Sequence, residues 1–254
     1  MIEKKIIIDN LAVNYYISEN FNNNSPLVYL HGWGSEARHF GYVLEKCANF
    51  IAIDLPGFGK SEILKTTWTI GDYANFLKSA LKKMEIKSPI LAGHSFGGSI
   101  IIKYCAEGGE AKKIILIASS GIRQKSLRIY FYIFLAKIGK LFFSIPGLNL
   151  IKNKAKKKFH KVVDAEDFSK LTDGSLKESF KNVVGEDLKE DLKKIKADTC
   201  IIWGEKDMIT PLNEGLLMNK LIEGSKLFII KEAGHYVFID REEEFNKIFL
   251  NATR

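Results

Sequence analysis

Cysteine is scarce and scattered in this 254-residue chain: Cys47, Cys105 and Cys200 stand singly within apolar segments. An odd, dispersed count excludes a disulfide framework and offers no ligand spacing for a metal. The three thiols are expected to be buried in a reducing compartment. Long hydrophobic runs are also lacking. The apolar stretch 129–136 is far short of the ~20 residues that cross a bilayer. Met1-Ile2-Glu3-Lys4-Lys5 leads straight into an apolar strand with no signal-peptide pattern, so a cytoplasmic protein is expected. No internal repeat is visible. Acidic residues are outnumbered, 30 Asp and Glu against 38 Lys and Arg, for a formal charge of +8. No recognisable nucleic-acid-binding module accompanies that charge, so nucleic acid is not expected as a partner.

What is present is a regular alternation of apolar segments. Residues 4–8 and 11–17 read as an antiparallel pair joined at Asp9-Asn10. Residues 27–30, 50–53, 89–92, 114–118, 200–203 and 227–230 read as short, continuously apolar strands. Such strands suit a parallel sheet covered on both faces. Helical patterns over 70–84, 96–106, 213–221 and 242–249 separate most of them. The fold class expected is therefore α/β, a doubly wound and mostly parallel sheet. The length allows one large domain or a core with a lid.

The sharpest motif is Ile90-Leu91-Ala92-Gly93-His94-Ser95-Phe96-Gly97-Gly98. A strand ends in Gly-x-Ser-x-Gly and a helix starts at once. The serine at such an apex takes a strained backbone conformation, and the flanking glycines prevent collisions there. Its hydroxyl projects beside a helix N-terminus, whose free N–H groups favour negative charge. Ser95 is the candidate nucleophile, and the N–H of Phe96, the next residue, is a candidate oxyanion donor.

A nucleophilic serine needs a base, and the base needs an orienting acid. Of five histidines, His94 adjoins the serine, but its side chain is expected to point elsewhere on so tight a turn. His31 closes a strand and reads as structural, and His160 follows a lysine run. His235 lies in a loop after the 227–230 strand and is the candidate base. The loop Gly204-Glu205-Lys206-Asp207 follows another strand, and both Glu205 and Asp207 qualify chemically as the acid. A decoy, Gly59-Lys60-Ser61, has the look of a phosphate-binding loop. The full pattern needs a glycine where Asp54 stands, and Pro56 removes an N–H from the cradle. Asp54 is expected to make structural hydrogen bonds in the turn.

Taken together, these motifs resemble the α/β-hydrolase superfamily with a serine nucleophile. His31-Gly32-Trp33-Gly34 resembles its oxyanion loop, and Asp54-Leu55-Pro56-Gly57-Phe58-Gly59-Lys60-Ser61 its D-x-P-G-x-G-x-S signature. Residues 93–98, 204–207 and 234–235 resemble the nucleophile elbow, acid loop and base loop. The resemblance selects Asp207 over Glu205, and implies the backbone N–H of Trp33 as the second oxyanion donor. A serine at the elbow argues against the dehalogenases and epoxide hydrolases of this fold, which use aspartate there. One departure is visible: Ala197-Asp198-Thr199 has an aspartate where a proline commonly precedes the strand.

Between residues 122 and 196 the alternation breaks into helical patterns without a good strand. The resemblance implies a helical cap there, over a core of residues 1–121 and 197–254, with aromatics such as Tyr130, Phe131 and Phe134 as candidate substrate contacts. Residues 122–170 carry twelve Lys and Arg against three Asp and Glu, densest at Lys152, Lys154, Lys156, Lys157 and Lys158. A solvated basic face is the plain reading, and a weak membrane-surface contact the other. The function expected is hydrolysis of a carboxylic ester or related small acyl substrate without cofactor or metal. Carbon–carbon bond hydrolysis of ring-cleavage products is the alternative, and a non-catalytic receptor on the same fold is a third.

Overall fold

The computed structural model describes residues 1–123 and 174–253. Eight strands form one sheet in the order β1-β2-β4-β3-β5-β6-β7-β8. They are β1 (Ile2–Ile8), β2 (Leu11–Ile17), β3 (Leu27–Leu30), β4 (Phe50–Ile53), β5 (Ile90–His94), β6 (Lys113–Ile117), β7 (Asp198–Gly204) and β8 (Lys226–Ile230). β1 and β2 pair antiparallel through Asp9 and Asn10, both at positive φ. β2 meets β4 antiparallel, and every pairing from β4 through β8 is parallel.

Among the described residues the five longer helices are α1 (Ile70–Lys83), α2 (Phe96–Ala106), α3 (Gly174–Gly185), α4 (Leu212–Leu221) and α5 (Glu242–Ala252). Alternation along each strand divides the core in two. Val28, Leu30, Leu91, Ile114, Leu116, Ile201 and Trp203 pack with residues of α1, α2 and α4. Leu27, Tyr29, Ile90, Ala92, Ile115, Ile117 and Ile202 pack on the other face with Phe40, Phe245 and Phe249. α1 starts at a reciprocal cap: the Asp72 N–H donates to Thr69 Oγ1 at 3.2 Å, and the Thr69 N–H donates to Asp72 Oδ2 at 2.7 Å.

The doubly wound, mostly parallel sheet is the expected fold class, with one correction. β8 was expected to be covered on both faces, yet Phe228 and Ile229 are exposed. β8 ends the sheet, so it has a strand neighbour on one side only. Asp198 opens β7 and pairs with Lys113 at 3.5 Å. Of the expected cap, residues 122–123 and 174–196 are described: α3, then a one-turn helix Lys189–Leu192, and no strand among them. Tyr130, Phe131, Phe134, His160 and the lysines at 152–158 lie outside the described residues.

Candidate active site

Ser95 sits between β5 and α2 with φ 51° and ψ −113°. This strained backbone is held from several sides. The Ser95 N–H donates to the Ile117 carbonyl at 2.9 Å, and the Ser95 carbonyl accepts from Gly98 and Ser120 N–H at 3.0 and 3.1 Å. A Cβ on Gly93 would meet the Gly97 carbonyl carbon and Gly98 nitrogen at 2.5 Å, and one on Gly97 would run into the Leu30 carbonyl. Only glycine lets strand and helix approach this closely.

Asp207 and His235 come together from the ends of β7 and β8. His235 Nδ1 lies 2.9 Å from Asp207 Oδ2, and both side chains are buried. A carboxylate only accepts, so the Nδ1–H donates to it, and in the neutral form of the ring the lone pair is on Nε2. The other carboxylate oxygen, Oδ1, accepts the N–H groups of Ile209 and Thr210 at 2.8 and 2.9 Å. Glu205 turns away and accepts the Glu232 N–H at 3.1 Å.

Thr210 was not singled out in the sequence. Its hydroxyl lies 2.8 Å from Asp207 Oδ2, 3.1 Å from His235 Nδ1 and 3.0 Å from the Ala118 carbonyl. The signal was legible: an aspartate accepting N–H groups two and three residues on is a turn of the Asx type. Glu214 was also passed over. It is buried in the first turn of α4, and burial, then Asp207, pushes its carboxyl up to about 8.

Ser95, Phe96, Trp33, His94, Ser120, Thr210 and His235 line one cavity of about 260 Å³, together with Phe180, Val183, Val184 and Ile209 from α3 and the acid loop. The Ser95 hydroxyl and the His235 ring share it without a direct hydrogen bond. Apo sites often leave this contact loose. Among the described residues, no acceptor sits on the backbone N–H of Trp33 or of Phe96. The lining includes no Lys or Arg among the described residues.

The remaining candidates separate clearly. His31 is fully buried; its Nε2 accepts the Leu55 N–H at 3.0 Å, and its Nδ1–H donates to the Gly32 carbonyl at 2.7 Å. Burial lowers its pKa to about 4, so it is a neutral structural group. Asp54 accepts Ala37 N–H, Lys60 N–H and Asn14 Nδ2 at 2.8 to 3.1 Å, which makes the phosphate-loop decoy a hydrogen-bonded turn. His94 is bonded away from the Ser95 hydroxyl. Its ring turns inward to the base loop, with Nε2 3.1 Å from the His235 carbonyl. Cys200 is buried, whereas Cys47 and Cys105 are half-buried; burial pushes all three thiols up, Cys47 to about 11 and the others to about 12. No group of three metal-ligating side chains and no helix able to cross a membrane occurs among the described residues.

A strained serine between strand and helix, on a mostly parallel eight-stranded sheet, defines the α/β-hydrolase fold. The chain belongs to the alpha/beta hydrolase family, whose model matches residues 27–248, and it is a hydrolase. It is 27% identical over 260 residues to the AB hydrolase superfamily protein YisY of Bacillus subtilis, covering 91% of this chain and 92% of that one. It is 25% identical over 243 residues to a 2-hydroxy-6-oxononadienedioate/2-hydroxy-6-oxononatrienedioate hydrolase of Escherichia coli, covering 87% and 81%. In structure it is similar to an esterase from Exiguobacterium antarcticum, with TM-score 0.75, 22% identity and 99% of each chain covered. A meta-cleavage product hydrolase from Pseudomonas fluorescens superposes with TM-score 0.70 at 19% identity, covering 98% and 96%.

Proposed function

We propose that the protein is a serine hydrolase that cleaves a carboxylic ester or related acyl substrate. The observation that carries this is the 2.9 Å contact of His235 with Asp207 in the cavity that also holds strained Ser95. Ser95 Oγ attacks the substrate carbonyl while His235 Nε2 takes its proton. Asp207 holds the ring in that tautomer and stabilises the imidazolium. The backbone N–H groups of Trp33 and Phe96 receive the oxyanion, and such donors typically contribute ~3–4 kcal/mol each in the transition state. The imidazolium protonates the leaving alcohol, and water activated by the same ring then cleaves the acyl-enzyme.

In this reading α3, the described helix of the expected cap segment, supplies Phe180, Val183 and Val184 to the pocket wall. An apolar wall favours the acyl chain, each buried methylene contributing ~0.8 kcal/mol. Carbon–carbon hydrolysis is the second reading, motivated by the Escherichia coli relative. The described wall is apolar where Phe180, Val183 and Val184 stand, which suits an acyl chain and favours the ester reading.

The test is a fluorophosphonate label beside p-nitrophenyl esters of increasing acyl length. Ser95 should be labelled, Ser95→Ala should abolish labelling and turnover, and kcat/KM should rise with chain length until the pocket fills. Labelling that persists in Ser95→Ala removes the reading. Turnover of a dienone diacid with no ester cleavage transfers it to the second.

A further inference from the structure

We propose that His94 is a positioning residue that holds the base loop and the oxyanion loop at a fixed separation around Ser95, through its Nε2–H bond to the His235 carbonyl and the placement of its Nδ1 edge in the space beside Gly32. The role rests on the Ser95–His235 reading above. A main-chain carbonyl only accepts, so His94 Nε2 carries the proton of the 3.1 Å bond. Burial, followed by the neighbouring His235, lowers the His94 pKa to about 3, so the ring stays neutral and Nδ1 is unprotonated. That edge faces Gly32: a Cβ there would stand 3.0 Å from His94 Nδ1 and 3.4 Å from Ser95 Cβ.

The ring lies 4.8 Å from the His235 ring, 5.5 Å from Tyr236 and 5.1 Å from Phe238, centre to centre. One rigid side chain therefore bonds the base loop and fills the space beside Gly32 of the oxyanion loop, and its own backbone leads into the serine. The bond is made to the main chain of His235, which leaves that imidazole free for its contact with Asp207. Displacement of either loop by about 1 Å is enough to cost two orders of magnitude in rate.

Three variants test this. His94→Leu removes the donor. His94→Asn keeps a polar amide but falls short of the carbonyl. His94→Gln restores an N–H near the position of Nε2. With a p-nitrophenyl ester, kcat should fall about 100-fold in the Leu and Asn variants with KM nearly unchanged, and recover to within a few-fold in the Gln variant. On a His235→Ala background, His94→Leu should cost less than about tenfold further, because the share of its effect that runs through the base loop is already gone. If the Leu variant does not fold, the Asn and Gln pair reads the same contrast. Wild-type kcat in the Asn or Leu variant overturns the role. So does a Gln variant as poor as Asn, or a full penalty that persists without His235. Turnover retained in Ser95→Ala overturns the hydrolase reading and this role with it; loss there with no His94 effect overturns the role alone.

Discussion

Asp54 and Asp207 make an instructive pair. Each lies close beyond the C-terminal end of a parallel strand, β4 or β7, and each is buried. Each accepts backbone N–H groups from its own or a neighbouring turn. They differ in what remains for the second oxygen. Asp54 gives Oδ1 to Ala37 and Oδ2 to Asn14 and Lys60, so every partner belongs to the scaffold. Asp207 gives Oδ1 to Ile209 and Thr210, while Oδ2 reaches Thr210 Oγ1 and an imidazole facing the cavity. The same residue type at the same kind of position becomes a staple or a candidate catalytic acid according to where its second oxygen points.

Substitutions should separate the two by what they damage. The largest effect is expected for Asp207→Asn, with turnover falling about four orders of magnitude because the imidazole loses its tautomer. The asparagine keeps an oxygen for Ile209 and Thr210, so the melting temperature should move little. Asp54→Ala should do the opposite. It strands two N–H groups and the Asn14 amide in a buried turn, at about 1–3 kcal/mol for each unsatisfied group. A drop of about 3 kcal/mol or more in urea unfolding is expected, with kcat per folded molecule within about tenfold of wild type. Asp207→Asn that unfolds the protein with undiminished kcat in the folded fraction would erase the distinction.

The strands of the core were legible because each is a short apolar run, and α2 begins at Phe96 as the glycine pattern implies. The exposure of β8 was not, because an apolar run looks the same at a sheet edge as at its centre. Ser95 and His235 could be singled out as candidates since each follows a strand of this sheet at its C-terminal end, whereas Glu205 and Asp207 share that placement and only the family resemblance separated them. Where the His94 ring goes was not legible, because local turn geometry says nothing of the base loop, which arrives from 141 residues away. Glu214 was invisible for a similar reason: an acid in the first turn of a helix looks like an ordinary favourable charge, and only the fold places it in a buried setting with Asp207 among the charges acting on it.

Glu214 sharpens the comparison as a third buried carboxyl, one raised from 4.5 to about 8 by burial first and Asp207 second, with Lys189 opposing and Asp187 adding. A group whose folded pKa is raised contributes stability that is complete below its unfolded pKa and is lost as pH climbs through the folded value. The wild type should therefore lose stability relative to Glu214→Gln between about pH 4.5 and 8, at up to about 1.4 kcal/mol per pH unit. Urea unfolding of both proteins across that window measures it. A difference that stays constant with pH would mean Glu214 is already ionised and solvated.

The smallest effect belongs to Glu205, two residues before Asp207 in the same loop. Its carboxylate is exposed and accepts the Glu232 N–H at 3.1 Å, on the side away from His235. Glutamine keeps an oxygen for that bond and removes a charge that solvent screens well. Glu205→Gln should change stability by about 0.5 kcal/mol or less and leave kcat/KM within about twofold. This near-null result matters because the two carboxylates share loop and chemistry, and differ in burial and in whether an oxygen reaches the ring. A loss of orders of magnitude in Glu205→Gln beside a mild Asp207→Asn would show that the loop rearranges in solution to offer the other carboxylate, and the 2.9 Å contact would no longer identify the acid.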